Sequence, residues 1–333
     1  MFVIHVRIET PNLTPEMNPA AFPSKESFAI GIDMGGTNTT VGLVRADGQV
    51  MRTTHLKTRA HDSAEEYLQA LAAAVKAILR GEQISGIGMG APNANYHTGQ
   101  IVNAANLPWK GTIPVAEKLS DLTGYRVRLT NDANAAAIGE GTFGAAQGLK
   151  DYVVVTLGTG LGSGFVANGK LILGHDGLAG ELGHMIAVRG GRPCGCGRNG
   201  CLETYASATG IVRTAEEWLL ARREPSMLHE HTGKISAWDI QQAALRGDAL
   251  ALELFAYTGR ILGETLADAA AITSPEVIIF YGGLARAGDL LLDPVRKHFE
   301  QNLLHLYSGK IRLLTSSLPE ANAAILGASA LAW

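Results

Sequence analysis

Two stretches far apart in this chain are written in the same grammar, and one small core cannot hold both. Phe28 to Met51 reads as a strand, a glycine turn at Gly35-Gly36, a second strand, a hairpin at Asp47-Gly48 and a third strand. Tyr152 to Leu173 repeats that order, with Gly158-Thr-Gly-Leu-Gly-Ser-Gly164 as its glycine turn and Asn168-Gly169 as its hairpin. Asp47 and Asn168 lie 121 positions apart, so the repeat implies two similar lobes and not a short-period solenoid. The length of 333 residues agrees, being long for a single core.

Between the two stretches, helix and strand signals alternate. Asp62 or Ser63 caps a helix carrying Tyr67, Leu68, Leu71, Val75, Ile78 and Leu79, which Gly81 stops. A buried strand at 84–89, a short helix from Pro114 to Gly124, a strand at 126–129 and a helix of small residues at 132–146 follow. Beyond residue 206 the chain turns helical, at 207–223, 236–247 and 249–273, with a polar, mobile connection expected at 222–234. A buried strand at 276–281 ends in Gly282-Gly283; then come a helix to about 304, a strand at 310–315 and a final helix at 319–331 that packs back on the first lobe. Such crossovers predict partly parallel sheets. The expected division is an extension at 1–27, a small lobe at 28–133 completed by 319–333, and a large lobe at 134–318. The extension, with prolines at 11, 15, 19 and 23, reads as poorly ordered chain, as sequence upstream of a true start at Met17, or as an added edge strand at 2–8.

All three cysteines fall within eight residues, Cys194, Cys196 and Cys201, with His184 ten residues upstream. These four ligands can converge on one tetrahedral ion, for which Zn²⁺ is the natural occupant. The alternatives are three reduced thiols in a glycine-rich loop or a redox pair of Cys194 and Cys196; glycines at 195, 197 and 200 favour wrapping round an ion. Four protein ligands leave no open position, so the zinc is expected to be structural and to pin Glu181, His184 and Glu203 as a polar wall suited to hydroxyl groups.

Asp33-x-Gly35-Gly36-Thr37-Asn38 puts a carboxylate at a strand end, followed by amides and a hydroxyl that can cradle phosphate, with Asp33 holding Mg²⁺ through water. Gly158, Thr159 and Gly160 open a facing loop of the same kind. Neither follows the pattern of a P-loop or a dinucleotide fingerprint. Gly282-Gly283 either lets an adenosine approach the backbone or makes a tight strand-to-helix turn. Asn131 and Asp132 stand at a strand end and a helix start, where Asp is an ordinary cap; a phosphoryl-transfer enzyme needs one carboxylate near the acceptor hydroxyl, and Asp132 is the best-placed candidate. Gly90 to Asn93 and Asn103 to Trp109 are amide-rich loops suited to reading hydroxyls or to forming turns.

A net charge of −3 with scattered Lys and Arg disfavours a nucleic-acid surface. No apolar run is long enough to cross a bilayer and no signal peptide opens the chain, so no membrane partner and a cytoplasmic location are expected.

Taken in order, Asp33-x-Gly-Gly-Thr, Asn131-Asp132, Gly158-Thr-Gly-x-Gly, Glu181-x-Gly-His184 and Cys194-x-Cys-Gly-x-x-Gly-Cys201-x-Glu203 resemble the ROK family of bacterial sugar kinases and related repressors. The resemblance runs from about residue 28 to the end. It implies a two-lobed, actin-like α/β fold, shared with sugar kinases and the heat-shock ATPase, built from duplicated βββαβα units with a zinc-binding loop. It implies ATP as donor, a hexose as acceptor, Asp132 as base on the 6-hydroxyl, zinc on His184, Cys194, Cys196 and Cys201, and sugar contacts from Asn106, Asn131, Glu181, His184 and Glu203. Asn103–Trp109 with Gly90–Asn93 is most similar to the branch acting on glucose; N-acetylmannosamine, N-acetylglucosamine, allose or fructose are the alternatives, as is a sugar-sensing ATP-binding regulator without catalysis. The repressor branch carries a DNA-binding helix-turn-helix for which 27 proline-rich residues are too few. A homodimer is the family expectation.

Overall fold

The computed structural model describes residues 26–104, 107–319 and 322–333. The expected edge strand at 2–8 and residue Asn106 lie outside them.

Each half of the chain builds a five-stranded mixed sheet. In the first, β1 (Phe28–Met34), β2 (Asn38–Arg45) and β3 (Val50–Lys57) form an antiparallel meander; α1 (Ala64–Ile78) then returns the chain to β4 (Ile84–Gly90), parallel to β1. A small three-stranded sheet follows, made of β5 (Ala94–Asn95), β6 (Gln100–Val102) and β7 (Thr112–Ile113). After it, α2 (Val115–Thr123) leads to β8 (Val127–Thr130), giving the order β3-β2-β1-β4-β8. The chain continues through α3 (Asp132–Phe143) into β9 (Tyr152–Leu157), β10 (Leu161–Ala167) and β11 (Lys170–Leu171). The cysteine loop, α4 (Ala208–Ala221), α5 (Ala237–Leu245) and α6 (Ala249–Thr273) precede β12 (Val277–Tyr281), α7 (Asp289–Asn302), β13 (Arg312–Thr315) and α8 (Ala323–Ala330). The second sheet runs β11-β10-β9-β12-β13, the same topology as the first. The repeated grammar of the sequence is therefore a repeated fold.

Local chemistry sets the helix ends. The Ser63 hydroxyl accepts the Glu66 amide to open α1, and Tyr67, Leu68, Leu71, Val75 and Ile78 form its buried stripe. Gly124, at φ 77°, closes α2 in the left-handed region that favours glycine. Asp248 caps the 25-residue α6, whose buried face includes Leu254, Phe255, Leu262 and Leu266. The connection at 222–234 is not bare polar chain. Leu228 is fully buried there, and the Met227 amide donates to the Asp248 carboxylate at 2.6 Å.

Helix α8 lies on the first sheet, as its alanine-rich sequence implies. Gly31 of β1 and Gly88 of β4 admit it, since a Cβ on either would overlap the carbonyl oxygens of Ile325 and Ala328. Helix α3 touches both halves: Gly139 packs on Gly327 of α8, while the Tyr152 hydroxyl of β9 donates to the Ala137 carbonyl at 3.0 Å. No helix among the described residues is long and apolar enough to cross a membrane.

Candidate active site

Three parallel strands of the first sheet end side by side. Asp33 of β1 pairs with Gly90 of β4, and Gly90 with Thr130 of β8. One step beyond Thr130, the Asn131 side chain accepts the Asn134 amide at 2.7 Å and so starts α3. Asp132 is exposed at that first turn, one oxygen accepting the Ala133 amide at 2.9 Å. Because Gly90 lacks a side chain, α3 sits close above β4; a Cβ there would lie 3.8 Å from the Asp132 Cα. Burial, and then the charge of Asp132, raise the Asp33 carboxyl to about 6. The two carboxylates thus share one corner, a relation that no spacing in the sequence discloses.

The first glycine loop is held from outside. Its Gly35 amide donates to the Asn38 carbonyl at 2.9 Å, the Thr58 hydroxyl to the Gly35 carbonyl at 2.8 Å, and Arg59 Nε to the Gly36 carbonyl at 3.0 Å. Lys57 Nζ donates to the Asn38 side chain, and Thr37 and Asn38 are exposed. Thr58 and Arg59 went unremarked in the sequence because they lie in a 3-10 turn just past β3, about twenty residues after the motif.

The second loop is anchored to the start of α4. The Ala208 amide donates to the Gly158 carbonyl at 2.9 Å and the Thr209 hydroxyl to the Thr159 carbonyl at 2.7 Å. A cavity of about 570 Å³ opens beside Thr159, lined by Thr209, Val212, Arg213, Glu216 and Ile235. Just past β12, Gly282, at φ 105°, leaves no room for a Cβ, which would lie 2.7 Å from the Leu157 carbonyl oxygen. The turn alternative thus accounts for Gly282 by itself, whereas Gly283 is more open.

The cysteine loop folds back on itself through bridges Ile186 to Cys201 and Pro193 to Asn199. Gly200, at φ 85°, is pressed against the Val188 carbonyl, where a side chain would overlap. One ligand atom each from His184, Cys194, Cys196 and Cys201 lies within 4.8 Å of every other, and all three cysteines are free thiols. Hydrogen bonds from the Arg198 amide and side chain hold the Cys196 thiol down at about 6, while burial pushes Cys194 up to about 12. Three thiols and an imidazole around one point form a soft donor set, compatible with a structural tetrahedral zinc.

Glu203 ties this corner to the second loop. Its Oε1 accepts the Cys194 thiol at 3.0 Å and lies 3.8 Å from His184 Nδ1; its Oε2 is 2.9 Å from where a Cβ on Gly160 would stand. Glu181 Oε2 is 3.8 Å from the other imidazole nitrogen, Nε2. On the opposite side, a Cβ on Gly162 would lie 2.9 Å from Ala133, next to Asp132. Contacts therefore run in sequence from Asp33 through Asp132 and the second loop to Glu203 and His184. Chemically, the arrangement offers paired carboxylates, two glycine turns and an acid-and-imidazole wall.

The family model described as ROK family matches residues 29–333, and the chain belongs to that family. A glucokinase from Halalkalibacterium halodurans is 39% identical over 284 residues, 83% of this chain and 86% of that protein. An N-acetylmannosamine kinase from Escherichia fergusonii is 33% identical over 260 residues, 78% of this chain and 84% of that one. Among solved structures, a ROK family glucokinase from Streptomyces griseus in complex with glucose and AMPPNP is 35% identical, with a TM-score of 0.76, covering 92% of this chain and 99% of its own.

Proposed function

We propose that this protein is an ATP-dependent glucokinase that transfers the γ-phosphoryl group to the 6-hydroxyl of glucose. The observation that carries the reading is the position of Asp132, whose charge reaches Asp33 on one side and whose helix touches the second glycine loop through Gly162 on the other. A carboxylate at that junction can take a hydroxyl proton where a phosphoryl donor would lie. The relatives named glucokinase support glucose as the acceptor.

In this reading Asp132 accepts the proton of the 6-hydroxyl, and Asn131, Glu181, His184, Glu203 and Gly90 bind and orient the sugar, with Asn106 from the adjacent loop. The turns at Gly35–Asn38 and Gly158–Gly160 hold the triphosphate, the cavity beside Thr159 takes the adenosine, and Gly283 is its proposed backbone contact. The residues fit the ions the reaction needs. Asp33 is a hard oxygen donor whose raised pKa a nearby cation would bring back down, and Mg²⁺ there would neutralise charge on the phosphates. The Cys194, Cys196, Cys201 and His184 set would hold zinc, which supplies rigidity to the wall bearing Glu181 and Glu203. Residues 28–133 with α8 would form one lobe and 134–318 the other, closing to keep water from Asp132. A cytoplasmic homodimer without nucleic-acid or membrane partners completes the proposal.

The test is ADP release measured with glucose, N-acetylmannosamine, N-acetylglucosamine, allose and fructose. Strong dependence on glucose supports the reading. Preference for N-acetylmannosamine transfers the assignment to that sugar, and sugar-independent release overturns it.

A further inference from the structure

The cysteine loop is clamped to α4, the helix that lines the cavity beside the second glycine loop, by a side chain that no motif in the sequence includes. Arg192 is buried, its side chain only 8% exposed, in a loop whose neighbouring residues Pro193 and 195–199 are exposed. Its Nη1 donates to the Thr204 carbonyl at 2.7 Å, next to Glu203, and to the Gly210 carbonyl in the first turn of α4 at 3.3 Å. Its Nε and Nη2 form a fork on the Glu217 carboxylate of α4, and its guanidinium lies 4.5 Å from the centre of the Tyr205 ring. The Tyr205 hydroxyl in turn accepts the Arg192 amide at 2.9 Å. Glu217 also receives Arg213 Nε at 3.1 Å, and Arg213 lines the cavity while donating to the Pro193 carbonyl. Helix α4 carries the second loop through Ala208 and Thr209.

We infer that Arg192 is a positioning residue, a strut that fixes the wall bearing Glu203 relative to α4 and the glycine loop that α4 anchors. It rests on the kinase reading for its effect on rate, though not for its mechanical content. A planar fork with five donors can hold two carbonyls and a carboxylate at once; lysine, a single point of charge, cannot. Phosphoryl transfer depends on alignment of acceptor and donor, and a displacement of about 1 Å costs about 100-fold in rate. Loss of the strut therefore lowers kcat more than it weakens either substrate bound alone.

The comparison that isolates this role uses Arg192→Met and Arg192→Lys against Arg222→Met. Arg222 sits at the far end of the same helix and shares the pairing pattern, a fork on Glu253 and a guanidinium 4.0 Å from the Trp218 ring centre, but at a more exposed position away from the glycine loop. Expected results are a fall of about 100-fold in kcat for Arg192→Met, a smaller fall for Arg192→Lys, and wild-type kcat for Arg222→Met, with zinc content equal in all three. Amide hydrogen exchange on the substrate-free proteins should show protection lost at Gly158–Gly160 and at the start of α4 only in the Arg192 variants. That second measurement judges the strut even if the wild type proves inactive on every sugar. Unchanged exchange at Gly158–Gly160, or equal kcat in Arg192→Met and Arg222→Met, overturns the inference.

Discussion

Glu203 and Gly160 are in contact across two segments that the sequence separates by more than forty residues: one carboxylate oxygen would lie 2.9 Å from a methyl group placed on Gly160. The other oxygen already holds the Cys194 thiol. Gly160→Ala must therefore push Glu203 aside or move its own loop. We expect the KM for sugar to rise roughly tenfold while stability falls by only about 1–2 kcal/mol. Steady-state kinetics with thermal melts check this, and an unchanged sugar KM would show that Glu203 does not bear on the acceptor.

Asp132→Asn keeps the start of α3, since Asn131 remains its cap and the new amide oxygen can still accept the Ala133 amide that Asp132 accepts now. It removes the proton acceptor. Turnover should drop by about 100-fold to 10,000-fold, with sugar affinity by calorimetry changed little. Retention of near-normal turnover would exclude Asp132 as the base.

Asp33 supplies a prediction about pH. Its carboxyl rises from the ordinary 3.8 to about 6 through burial and the charge of Asp132. Between those values the folded protein holds the proton that the unfolded chain has released, so the contribution of Asp33 to stability falls as pH rises, reaching its full cost above about 6. That cost is about 3 kcal/mol at most. Without magnesium, Asp33→Asn should melt higher than the wild type at pH 7.5, and the difference should vanish near pH 4. An equal gain at both values would place its origin elsewhere.

Removal of metal tests the cysteine corner. Cys196 is exposed, so its replacement by serine creates no cavity. Cys196→Ser, and chelation of the parent protein, should lower melting temperature and sugar affinity together, and elemental analysis of active protein should find one zinc per chain. Full activity in zinc-free protein would remove the metal from the account.

Close packing of α8 gives a prediction independent of chemistry. Gly88→Ala should destabilise by several kcal/mol, beyond the usual range of about 1–3 for overpacking, because the added methyl meets the Ala328 carbonyl and not a movable side chain. Gly81→Ala, where nothing lies within 4 Å and only the positive φ of 104° is strained, should cost less. Chemical denaturation of the pair checks the order.

The repeated strand meanders and most helices could be read from the sequence because their signals are local: glycine turns, caps and apolar stripes fall within a few residues of one another. The cysteine corner was legible for the same reason, with its ligands crowded into 184–201. Strands β5, β6 and β7 were not, since two or three residues cannot display alternation. Helix α8 also starts later than expected, at Ala323 instead of 319. Relations such as Asp33 with Asp132, or Arg192 with Glu217, depend on which strands pair and how a loop closes; residues far apart in sequence carry no mark of them. Arg192 looks like any other arginine until Tyr205 and α4 are seen around it.

The lodging of α8 on β1 and β4 has a consequence for how the protein is made. A ribosome releases the residues of β1 into solution long before those of α8, so the face around Gly31 and Gly88 stays uncovered until α8 has emerged. The first sheet thus waits on a helix that begins 235 residues downstream of Gly88, and a nascent chain stalled short of Ala323 would present bare apolar sheet to whatever chaperone stands nearby.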